Sequence, residues 1–135
     1  AEKSEGAYLN GSPIKPSDKK SLTQAVVATG FPVDKDRNPD NNMDNLARVL
    51  PAVRGVRRLG SAAIDISYVA AGFLDAYWEL NLHEWDVCAA LLIASEAGAM
   101  HEFFRTDRNL SVLAAAPGIM PLINPLISKE AYRKR

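Results

Sequence analysis

Apolar positions along this chain come in short blocks, some recurring every second residue and some every third or fourth, so strands and helices are expected to alternate. Asn10-Gly11, set between Tyr8-Leu9 and Ser12-Pro13-Ile14, has the composition of a tight turn and predicts a short edge hairpin. Residues 22–29 are rich in β-branched and small apolar side chains and stop at Gly30-Phe31-Pro32, which predicts a largely buried strand. The charged, proline-containing run 33–42 reads as an exposed loop and the most mobile internal stretch, with Asp34, Asp36 and Asp40 solvated. Met43, Leu46, Ala47, Val49 and Leu50 then recur at helical spacing. With Asp40, Asn41 or Asn42 as N-cap they predict a short amphipathic helix up to about Pro51.

From Gly55 the units shorten. Residues 56–59 read as a strand, Gly60-Ser61 as a turn and cap, and 62–71 as a helix of small residues closed by Gly72. Residues 74–80 alternate apolar and polar positions through Tyr77 and Trp78 and predict the next strand. Asp86 opens a helix over 87–97 that is apolar on nearly every face and is therefore expected between layers. Residues 111–116 read as a last strand, Pro117-Gly118 as a turn, and 119–127 as an apolar helix that Pro121 and Pro125 shorten or kink. The alternation gives an α/β class, a layered sheet-and-helix sandwich. At 135 residues and 47% hydrophobic content, a single domain over 1–135 with one interior is expected.

Charge narrows the partners. Sixteen basic and sixteen acidic side chains cancel, so no global field draws the chain to nucleic acid or anionic lipid. The longest apolar run, residues 87–94, is far shorter than the roughly 20 residues of a membrane-crossing helix. The one cysteine, Cys88, falls inside that run and reads as a buried, inert thiol, consistent with a reducing, cytoplasmic setting. The chain starts at Ala1 with no export signal in view, so a fragment of a longer protein is expected.

Two junctions carry candidate chemistry. At Gly60-Ser61-Ala62-Ala63 the unpaired amides of a helix start would point at an anion or a hydroxyl, although a routine cap has the same composition. Asp86 follows Trp85 at the head of the apolar helix, where a carboxylate is stabilised whether it caps the helix or coordinates a hard cation. Glu79 joins it if the strands are parallel and their carboxyl ends share a crevice. His83 and His101 lack partners at zinc-ligand spacing, no G-x-S-x-G elbow or Gly-rich phosphate loop with lysine occurs, and no second acidic cluster suggests a complete magnesium site. The basic tail, residues 129–135, reads as a frayed terminus.

Taken in order, Gly60-Ser61-Ala62-Ala63, Leu74-Asp75-Ala76-Tyr77-Trp78-Glu79, Trp85-Asp86 and Glu96-Ala97-Gly98 resemble the carboxy-terminal half of the inositol monophosphatase family. The resemblance extends upstream to Gly6-Ala7-Tyr8-Leu9-Asn10-Gly11 and Ala28-Thr29-Gly30-Phe31-Pro32, and downstream to Val112-Leu113-Ala114-Ala115. It implies the carboxy-terminal domain of the sugar phosphatase fold and a Mg2+-dependent hydrolase of inositol phosphate, with a related sugar-phosphate or nucleotide 3'-phosphate phosphatase, or a non-catalytic dimerisation or interaction module derived from the family, as the alternatives. It also implies Asp86 as a metal ligand, Gly60, Ser61 and Ala62 as the turn that contacts substrate, Glu79 as a partner of a substrate hydroxyl, and His83 lining the same pocket. Family members are commonly homodimers, so a homo-oligomer or a complementing amino-terminal half is the implied partner. The family's Glu-Glu and Asp-Pro-Ile-Asp-Gly-Thr motifs, which carry its other metal ligands, have no counterpart here, so the chain alone is expected to be inactive. Ala90 and Ala99 stand where the family usually has glycine, and residues 100–110 look shorter and less glycine-rich than usual.

Overall fold

The computed structural model describes residues 1–133. β1 (Tyr8–Leu9) and β2 (Ser12–Pro13) form the expected hairpin, with Asn10 and Gly11 at φ 51° and 83°. Glu96 anchors the segment before it, accepting from the amides of Ser4 and Gly6 at 2.7 and 3.1 Å. β3 is Val26–Thr29, and its ladder starts only where the buried Asp75 carboxylate accepts from the Val26 amide at 2.8 Å. Leu22–Gln24, expected as strand, instead forms a 3-10 turn ahead of that point.

In α1 (Met43–Val49) the first amide is capped by the Asn41 side chain at 3.2 Å. Asn42, at φ 76°, turns inward. Its Nδ2 donates to Thr29 Oγ1 and the Gly30 carbonyl at 2.9 and 2.8 Å, and its Oδ1 accepts from Trp78 Nε1 at 2.7 Å. Such a buried amide persists because every polar atom has a partner. β4 (Gly55–Arg57) is shorter than expected, since Arg58 and Leu59 already belong to the turn before α2 (Ala62–Ala71), which ends at Gly72 with φ 80°.

β5 runs Ala76–Leu82, two residues beyond the expected end. Its partner register shifts between Glu79 and Leu82, where Asn81 takes φ 60°. Up to that bulge Trp78 and Leu80 face one core layer and Tyr77 the other; after it Leu82 lies on the Tyr77 side. α3 (Glu84–Ala97) begins three residues earlier than expected, so His83 holds the cap position and Asp86 the third helical one. α3 is not enclosed between layers. Val87, Ala90, Leu91 and Ala94 are buried, whereas Cys88 and Leu92 are exposed on the opposite side, which overturns the expectation of a buried thiol. β6 (Met100–Arg105), absent from the sequence expectation, forms a hairpin with β7 (Leu110–Ala115). Pro121 and Pro125 do shorten the last helix, leaving α4 (Met120–Ile123) followed by a 3-10 turn at Asn124–Leu126.

The five-stranded sheet has the order β4-β3-β5-β7-β6. β3 is parallel to both β4 and β5, whereas β7 is antiparallel to β5 and β6. α2 and α3 cover one face through Ile66, Val69, Val87 and Leu91; α1, α4 and the 3-10 turns cover the other around Trp78, Leu113, Ile119 and Ile123. The result is helix, sheet and helix in three layers.

The charged loop departs most from expectation. Val33 is exposed and Asp36 pairs with its neighbour Arg37, but Asp40 and Asn42 are buried. Asp40 accepts from Arg105 Nη1 and Nη2 at 2.9 and 2.7 Å, from the Tyr132 amide at 3.0 Å and from Arg108 Nη1 at 3.3 Å. Burial opposes ionisation of Asp40, but these donors outweigh it and hold its pKa at about 2. In the tail, Lys129 pairs with Glu102 at 3.0 Å; residues 134 and 135 of the predicted frayed terminus lie outside the described residues.

Candidate functional site

The carboxyl ends of the three parallel strands open onto one concavity of about 550 Å³. β3 delivers Phe31, Pro32 and Val33, β4 delivers Arg58 and the Gly60 turn, and β5 delivers Glu79 and then His83, Trp85 and Asp86 at the head of α3. Gly60, Ser61, Ala62, Glu79, His83 and Asp86, all singled out from sequence, therefore line the same wall. In α/β sheets this end of the strands is where loops converge on ligand.

Each member is held by local chemistry. Gly60, at φ 86°, makes a turn that an L side chain rarely adopts. Ser61 Oγ accepts from the Ile64 amide at 3.3 Å and the Ser61 carbonyl from the Asp65 amide at 2.9 Å, leaving the Ala62 and Ala63 amides on the cavity wall as the free donors of the turn. The routine capping role and the cavity-facing role of this junction thus coexist. The His83 amide donates to Asp86 Oδ2 at 2.8 Å, which fixes the Asp86 rotamer in the first turn of α3. Trp85, 77% exposed, stacks on the His83 ring at 4.3 Å and 12°.

Glu79 sits deepest. Tyr77 Oη donates to Glu79 Oε1 at 2.8 Å, and Gly30 gives the carboxylate room, since a Cβ there would overlap it. Burial raises the Glu79 pKa; the Tyr77 hydrogen bond and the Arg58 guanidinium act against this, and the Asp86 charge adds to it. Three participants escaped the sequence reading. Asp65, on α2, is 1% exposed and its Oδ1 has no partner among the described residues. Burial, then the charge of Glu79, push its pKa up to about 6 against the pull of Arg58. Its signal was an acid on the apolar face of α2 beside Ile66 and Val69. Tyr77 reads as core, and Arg58 carries no distinguishing pattern.

Among the described residues no group of three or more His, Cys, Asp or Glu side chains is placed to hold a metal ion. Asp86 has one oxygen committed to the cap and, among the described residues, the other without a donor, so it suits one coordination position and not a cage.

The model of the inositol monophosphatase family matches residues 1–130. The chain belongs to the inositol monophosphatase family. It is 48% identical over 102 residues to the inositol-1-monophosphatase of Mycobacterium bovis, a match covering 73% of this chain and 34% of that protein. Against the inositol-1-monophosphatase of Rhizobium meliloti it is 42% identical over 98 residues, covering 73% and 37%. The structure of inositol monophosphatase from Anabaena aligns with a TM-score of 0.86 at 34% identity, over 92% of this chain and 51% of that one. The chain thus spans about half or less of the family members it matches. Ala90 is packed in the core on the buried side of α3 and Ala99 is buried just beyond its end.

Proposed function

We propose that this chain forms the substrate side of a Mg2+-dependent phosphomonoesterase whose substrate is an inositol phosphate. The observation that carries the reading is the convergence of the Gly60 turn, Glu79, His83 and Asp86 on one concavity at the carboxyl ends of parallel strands. The free amides of Ala62 and Ala63 suit a phosphate or hydroxyl oxygen, and Glu79 suits the hydroxyl of a polyol. Asp86 holds one position of a divalent cation, and the remaining ligands come from a complementing amino-terminal half. The chemistry magnesium supplies in such sites is activation of water for attack at phosphorus. His83 and Trp85 stack on each other and line the cavity beside Asp86. Exposure of Trp85 on the rim favours further polypeptide over it, whether that half or a second copy. A cytoplasmic location belongs to the same reading.

The test is an assay of inositol phosphate hydrolysis with magnesium, by the chain alone and mixed with the amino-terminal half of the Mycobacterium bovis relative. The chain alone is expected to give no turnover and the mixture to give some. In the active mixture Asp86→Asn should lower turnover roughly a hundredfold or more, as loss of an electrostatic stabiliser does. Turnover by the chain alone, or an unimpaired Asp86→Asn mixture, refutes the assignment.

A further inference from the structure

Residues 31–38 form a loop whose first three, Phe31, Pro32 and Val33, lie on the cavity wall and make its lip. The lip is tied internally: the amides of Lys35 and Asn38 donate to the carbonyls of Pro32 and Asp34 at 3.1 and 2.9 Å, and Asn38 Nδ2 donates to Asp34 Oδ2 at 3.0 Å. Its hydrogen bonds to distant parts of the described chain all run through one residue. Arg108 Nη2 donates to both Asp34 oxygens, at 2.9 and 3.0 Å, across 74 positions of sequence. The same guanidinium uses Nη1 on the Asp40 carbonyl at 2.7 Å. Arg108 can reach the lip because β7 runs antiparallel to β5, pairing Leu110 with Leu82, so the β6–β7 turn emerges at the end of the sheet where the cavity lies.

The Asp34 and Arg108 side chains are 26% and 22% exposed, and pairs so placed add little to global stability. What the contact does supply is orientation: with Nη1 held on the Asp40 carbonyl, the planar guanidinium sets Nη2 against both Asp34 oxygens, an arrangement that the single nitrogen of a lysine does not reproduce. We propose that Arg108 is a positioning residue that acts through Asp34 to hold the Phe31–Val33 lip and so sets the mouth of the cavity. The consequence for a phosphomonoester rests on the functional reading above; the mechanical role does not.

Amide hydrogen exchange on the full chain tests it. In Arg108→Gln the amides of Lys35, Arg37 and Asn38 should exchange tenfold or more faster while those of Trp78 and Leu113 stay within twofold. Arg108→Lys should recover only part of the protection. Asp34→Asn should reproduce Arg108→Gln, and the double variant should be no faster than either. Native protection of the lip in Arg108→Gln, or additive effects in the double variant, would overturn the proposal. In the reconstituted enzyme Arg108→Gln should raise KM threefold or more with kcat within twofold, and a fall in kcat at unchanged KM would overturn the role toward substrate. Absence of turnover in every mixture would count against the phosphatase reading alone, since the exchange measurement needs no catalysis.

Discussion

Two groups of buried charge lie at the same end of the sheet and are solved in opposite ways. Around Asp40 each acid meets a guanidinium: Arg105 spans Asp40 and Asp107, and Arg108 spans Asp34 and Asp40. Around Glu79 the charges of Asp65 and Asp86 oppose its own, Arg58 is the cation that acts on Glu79 and Asp65, and among the described residues one Asp65 oxygen has no partner. The first group has its desolvation cost offset by hydrogen bonds and fastens the loop to the hairpin and the tail. The second stores unfavourable charge at a cavity wall, the condition expected where a ligand or further polypeptide completes the arrangement.

The largest effect should come from breaking the satisfied group. Asp40→Ala leaves Arg105 with only the exposed Asp107 and should cost about 3 kcal/mol in chemical denaturation at pH 7. Because the Asp40 pKa is lowered from 3.8 to about 2, its contribution is complete above the ordinary carboxylate value and disappears as the pH falls toward 2, where the variant and the parent should converge. The unsatisfied group should respond with the opposite sign. The Asp65 pKa is raised from 3.8 to about 6, so the folded state binds the extra proton between those values and stability falls as pH rises through them. Asp65→Asn should therefore raise stability at pH 8 by about 1–3 kcal/mol and do much less at pH 4, with thermal melts at the two values as the check. The smallest effect sharpens the contrast: Trp85→Ala should change stability by less than about 0.5 kcal/mol, because the ring rests on His83 in solvent.

The sequence was legible where information is local. The Gly60 turn, the Ser61 cap, the close of α2 at Gly72 and the proline-shortened end at α4 follow from residues within a few positions of one another. It was opaque where a partner comes from far along the chain. Asp34 and Asp40 look solvated because Arg108 and Arg105 stand more than sixty positions away. β6 escaped because it is an edge strand, with Met100, His101 and Phe103 all exposed, so no period of two survives. In α3 small and apolar residues on every side conceal which side meets the sheet, hence the exposed Cys88. The cavity members sit in local motifs, while the repulsion between Asp65 and Glu79 crosses from α2 to β5.

The bulge at Asn81 works as a phase shifter between sheet and helix. Strict alternation would carry the strand into α3 one residue out of step, and one residue corresponds to about 100° of rotation around a helix axis. Deleting Asn81 would then swing Asp86 away from the Gly60 turn with the helix still intact. The angular setting of that carboxylate is inherited from an asparagine in the backbone five positions earlier.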